Sequence, residues 1–156
     1  MKYLLCSLAV ALCSITLLHA KEDVPRGFTP ISELKDVQAK AAKDKKLIVL
    51  VVKGSDDSCP HCAAAMEAAD KSVGSGVLQV FARAADMNKA DKGGFPEALK
   101  NRAKKLFTDG AWVTVLVFNP DMSQIIAEAD RKGLDDNKEA TAAFHQKVVE
   151  AKKALK

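Results

Sequence analysis

Aromatic side chains are scarce in this chain: one Trp, one Tyr and six Phe among 156 residues. No dense basic run accompanies them, so the stacking rings and phosphate-binding stripe of a nucleic-acid reader are missing. After the first twenty residues no apolar run is long enough to cross a bilayer. There is no internal repeat and no low-complexity linker, so one domain accounts for the chain. Cysteine is also sparse. Four are present, and Cys6 and Cys13 fall within the first twenty residues.

Those twenty residues read as a secretory leader. Lys2 supplies a short positive start, residues 4–18 are mostly apolar, and Leu18-His19-Ala20 ends on a small residue suited to cleavage. Lys21-Glu22-Asp23 then turns abruptly polar. The expected organisation is a signal peptide over 1–20 and a single domain over 21–156. Lys2 is the only charged residue of the leader, so its removal lowers the formal net charge of +4 by one. The expected location is periplasmic or secreted, with no membrane attachment after cleavage.

What remains is read from hydrophobic spacing. Thr29 and Pro30 look like the cap and first residue of a helix, with Ile31, Leu34, Val37 and Ala41 on one face. Leu47-Ile48-Val49-Leu50-Val51-Val52 reads as a strand buried on both faces. An alanine-rich helix follows over 60–72, broken by Gly74 and Gly76. A strand over 77–84, a polar irregular stretch over 86–94 and a helix over 96–107 come next. Pro96 reads as the starting residue of that helix. A strand over 112–118, a turn at Asn119-Pro120-Asp121 and a hairpin partner over 124–129 follow. An amphipathic helix closes the chain over 135–156, with Phe144, Val148, Ala151 and Leu155 on its apolar face. Strands alternating with helices imply crossover connections and a layered α/β fold.

Cys59-Pro60-His61-Cys62 carries the chemistry. With the leader gone these are the last two cysteines, an even number suited to an oxidising compartment. The two lie too close in sequence to staple distant parts of a fold. A Cys-x-x-Cys pair can close a small disulfide ring and exchange it, or it can grip a metal. Two thiolates suit Cu(I) or zinc, with His61, Met66 or His145 available to complete coordination. No second Cys-x-x-Cys exists to build a four-thiolate site. Ala63 rather than histidine follows Cys62, which argues against covalent haem.

A buried strand, a polar loop, Cys-x-x-Cys and a helix form a unit that resembles the thioredoxin-like superfamily. The stretch Lys53-Gly54-Ser55-Asp56-Asp57-Ser58-Cys59-Pro60-His61-Cys62 is similar to the active-site segment of its exported bacterial members. The dipeptide Pro60-His61 is similar to that of periplasmic disulfide oxidases. The resemblance implies an α/β thioredoxin-like fold, a central mixed sheet flanked by helices. It also implies an enzyme that exchanges a Cys59–Cys62 disulfide with protein substrates. Cys59 would be the nucleophile at a helix N-terminus and Cys62 the resolving thiol one turn along. Pro60 would start the helix, and His61 would tune the thiolate.

Ser58 stands where this family usually carries Trp. Val113 stands where it usually carries a cis-proline facing the pair, so Trp112 and Val113 become the candidates for a substrate groove. The buried acid of thioredoxins has no counterpart in Leu50-Val51-Val52. Asp56 and Asp57 read as loop or capping residues. The resemblance implies no cofactor and no resident metal. Expected partners are protein thiols or disulfides and one further redox protein, with no nucleic acid, and a monomer is expected. The competing reading is a redox-inactive thioredoxin-like binding module or a Cu(I)/zinc metallochaperone.

Overall fold

The structure, a computed structural model, describes residues 24–54, 59–87, 94–103, 105–106 and 113–156. Thr29–Pro30 forms a two-residue strand, β1, and Ile31–Glu33 a single 3-10 turn leading into α1, Leu34–Asp44. β2 is Ile48–Lys53, α2 is Pro60–Val73 and β3 is Leu78–Arg83. A short α3, Ala84–Met87, precedes α4, Glu97–Ala103. β4, Val113–Phe118, and β5, Ile125–Asp130, form a hairpin. A π-helical segment, Lys132–Asp136, then leads into α5, Lys138–Ala154.

The five strands make one sheet in the order β1-β3-β2-β4-β5. β1, β3 and β2 are mutually parallel, whereas β4 pairs antiparallel to β2 and β5 antiparallel to β4. β2 is therefore central, and all its apolar residues are buried as their unbroken run predicts. Successive side chains of a strand point to opposite faces. Ile48, Leu50 and Val52 accordingly enter one core with Leu34, Val37, Ala41 and Leu99 from α1 and α4. Val49 and Val51 enter the other with Ala65, Ala69, Phe144 and Val148 from α2 and α5. Helices thus cover both faces of a mixed sheet, and the chain has the thioredoxin-like α/β fold.

Three expectations need correction. Thr29 and Pro30 do not open a helix: they lie beside Val80 and Phe81 in an edge strand, where the missing N–H of proline is tolerated. The last helix starts later than residue 135, at Lys138, because Asn137 caps it through a 3.0 Å bond from the Ala140 N–H. The helix near Pro96 is shorter than its apolar spacing suggests. The Pro96 carbonyl accepts the Lys100 N–H at 3.0 Å, and regular helix ends at Ala103. Residues 1–20, expected to be a leader, residues 55–58 with Asp56, Asp57 and Ser58, and Trp112 lie outside the described residues.

Candidate active site

β2 delivers the chain to the cysteine pair and α2 carries it away. Cys59 is the N-cap of α2, with extended backbone at φ −71° and ψ 109°. Its carbonyl accepts the N–H groups of Cys62 at 3.1 Å and Ala63 at 3.3 Å, which closes the first turn. Pro60 occupies the first helical position, where its lack of an N–H costs nothing. One turn places Cys62 inward, 1% exposed, in the core with Val51, Ala65 and Val113. Cys59 stays half-buried at the edge of that core, and the pair is in its dithiol form.

Burial separates the two thiols electrostatically. Desolvation pushes the Cys62 thiol up to about 11, and the neighbouring Cys59 adds to the rise through a hydrogen bond and its charge. Lys53, at the end of β2, and Arg131, just after β5, pull in the opposite direction. Cys62 is thus a proton-holding thiol at neutral pH. Cys59 has the exposure and the helix N-terminus that favour a thiolate.

His61 has a partner of its own. Its Nδ1 lies 2.8 Å from Oδ2 of Asp135. A carboxylate only accepts, so Nδ1 carries the proton and Nε2 is left free for another contact. Arg131 approaches the same Asp135 oxygen at 4.0 Å and Asp136 at 3.5 Å. The backbone around them is pinned. Asp130 Oδ1 accepts the Gly133 N–H at 2.8 Å, the Thr141 hydroxyl donates to the Gly133 carbonyl at 2.9 Å, and Leu134 is buried. This fixed segment is what brings Asp135 to a histidine 74 residues earlier in the chain.

Sequence reasoning missed Asp135 and Arg131. The only signal was their charge, in a stretch assigned partly to helix. His61, Asp135 and Asp136 also offer three ligand atoms within 4.8 Å of one another, although Arg131 already pairs with both acids. Of the other candidate ligands, Met66 packs half-buried against the core, and the His145 Nδ1–H donates to the Ser72 carbonyl at 2.7 Å. Val113, a candidate for the substrate groove, lies in the core. It is 0% exposed at the start of β4, opposite Lys53, and forms part of the packed layer beneath the cysteines.

A hollow of about 400 Å³ lies between α2 and α5, with Lys71, Ser72, Leu134, Asp135 and His145 in its walls. A larger one of about 530 Å³, lined by Leu47, Lys152 and Leu155, sits at the other end of β2 and plays no part in the dithiol site.

A half-exposed thiol at a helix start and a buried thiol one turn along, on this sheet, define a dithiol protein of thioredoxin-like fold. No protein-family model matches the sequence, and no curated protein does so. Among the solved structures that this chain resembles are two at low identity. One is a disulphide isomerase from Xylella fastidiosa Temecula1, at 14% identity and a TM-score of 0.48, with 83% of this chain and 96% of that one covered. The other is a DsbH oxidoreductase, at 18% identity and a TM-score of 0.44, with 81% and 83% covered.

Proposed function

We propose that this protein is an exported thiol–disulfide oxidoreductase acting on protein thiols and disulfides. The observation that carries the reading is the asymmetry of the pair: Cys59 half-exposed as the N-cap of α2, and Cys62 buried directly behind it. In the reducing direction the Cys59 thiolate attacks one sulfur of a substrate disulfide. That S–S bond breaks, the leaving sulfur takes a proton, and a mixed disulfide forms. Cys62 then gives up its proton and attacks the Cys59 sulfur. A Cys59–Cys62 disulfide closes, and the second substrate thiol leaves. Two electrons pass to the substrate, and the oxidising direction is the exact reverse.

Direction follows thiolate stability. Whatever stabilises the thiolate stabilises the reduced pair and makes the disulfide more oxidising. Pro60-His61 leans toward oxidase or isomerase chemistry, while the overall pattern of the chain resembles reductases that maintain exported thiols, and direction stays open between them. Export rests on the leader-like residues 1–20 and places the protein in the periplasm or outside the cell, where a disulfide persists. A separate redox protein would restore the pair after each turnover.

The test traps the intermediate. In Cys62→Ala expressed in the export compartment, Cys59 should accumulate disulfide-linked partners on non-reducing gels. Dithiothreitol should release them, and Cys59→Ala/Cys62→Ala should form none. Absence of adducts, together with no dithiol-dependent oxidase or reductase activity in the wild type, would overturn the reading.

A further inference from the structure

Lys53 and Arg131 act electrostatically on the buried thiol, and His61 lies between the two cysteines in the chain; Asp135 meets His61 and Arg131, and Asp136 meets Arg131. Their arrangement is unequal. A single Asp135 oxygen lies 2.8 Å from His61 and 4.0 Å from Arg131, so one carboxylate serves an imidazole and a guanidinium. The Asp135 side chain is 18% exposed and that of Asp136 59%. Solvent and salt screen Asp136 far more.

We propose that Asp135 is a positioning residue that sets the redox poise of the Cys59–Cys62 pair. By occupying His61 and neutralising Arg131 it damps the oxidising power that the Pro60-His61 dipeptide would otherwise give. The proposal rests on the exchange reading above. Disulfide sulfurs are uncharged, whereas the reduced pair carries thiolate charge, so a nearby cation favours the reduced form and a nearby anion the disulfide. Arg131 is close enough to act on Cys62, where its charge favours the thiolate. His61 lies between the two cysteines in the chain. The carboxylate that holds His61 and faces Arg131 sets a negative charge against that of Arg131, and it does so from outside the motif.

The experiment is a glutathione equilibrium on the full-length mature protein. The Cys59 and Cys62 thiols pass two electrons and two protons to glutathione disulfide, giving the protein disulfide and two glutathione thiols. Asp135→Asn keeps the shape and an oxygen able to accept the His61 N–H but removes the charge. It should shift the equilibrium about threefold to tenfold toward the protein dithiol, a potential about 14 to 30 mV less negative. Thiolate absorbance should show the attacking thiol ionising at lower pH. Arg131→Gln should move both readings the opposite way, and Asp136→Asn should move them less than Asp135→Asn.

A purely structural tether predicts something else: lower urea midpoints with an unchanged equilibrium. That result, or a shift of Asp135→Asn toward the disulfide, would overturn the proposal while leaving the exchange reading intact. A wild-type pair that never equilibrates with glutathione would sink both.

Discussion

Two cysteines three positions apart differ because one faces solvent and the other faces Val51 and Val113. A buried thiol resists ionisation, since its charged form loses water and gains no comparable partner. Cys62 is held at about 11 for that reason, with Cys59 adding to the rise and Lys53 and Arg131 limiting it. Iodoacetamide should therefore modify Cys59 near pH 7.5 and leave Cys62 unmodified until the pH approaches that value, as peptide mass mapping would show. Equal labelling of both at neutral pH would contradict the burial argument. The same shift has a stability consequence. The folded state holds the Cys62 proton more tightly than the unfolded chain, whose thiol ionises near 9.0. The stabilisation is fully present below that pH and is lost as the pH rises toward about 11. Urea midpoints should fall more steeply over this window in the wild type than in Cys62→Ala, and parallel curves would remove Cys62 as the cause.

Helix α2 is fastened at both ends, and the far end is the work of α5. Gly74 ends it at φ +57° and ψ −167°, with its N–H on the Asp70 carbonyl at 2.9 Å. The Lys152 ammonium donates to the Val73 carbonyl and, at 2.7 Å, to that of Ser75, while His145 donates to Ser72. Cations at a helix C-terminus complement its dipole as well as its orphan carbonyls. A Cβ at Gly74 would meet nothing closer than Lys152 Nζ at 3.9 Å. Gly74→Ala should therefore cost only backbone strain, about 1–3 kcal/mol in urea unfolding, with the rate of Cys59 alkylation unchanged. A large change in that rate would mean that strain at Gly74 reaches the other end of the helix. The Gly74 break was legible because glycine punctuates an alanine-rich helix. β1 was not, because Thr29-Pro30 has the local grammar of a helix start and becomes a strand only by lying beside Val80 and Phe81. The π-helical turn before α5 was equally hidden, since its conformation depends on Asp130, Thr141 and the buried Leu134 rather than on periodicity.

The described residues form two cores divided by a sheet, and the dithiol belongs to the one that α2 and α5 cover. The six-residue apolar run made the central strand plain, and Cys-x-x-Cys made the dithiol plain. The Asp135–His61 contact could not be read in advance, because 74 residues of chain separate the partners and folding alone brings the π-helical segment against α2. The division between cores is testable with one substitution made twice. Val37 on α1 and Val148 on α5 are both buried, at 7% and 0% exposure, in opposite cores. Truncating either to Ala removes the same two methyl groups and should cost about 1.5–3 kcal/mol. Their effects on the cysteines should differ. Val148 shares a core with Cys62, Phe144 and Leu134, so a cavity there loosens the layer that buries Cys62 and anchors the segment carrying Asp135. Val37 is separated from that layer by the full thickness of the sheet. Val148→Ala should therefore bring the pH at which Cys62 becomes alkylated down and shift the glutathione equilibrium, whereas Val37→Ala should lower the urea midpoint alone. If both variants moved the redox readings equally, the sheet would not be insulating the pair, and the two-core account of the site would have to be abandoned.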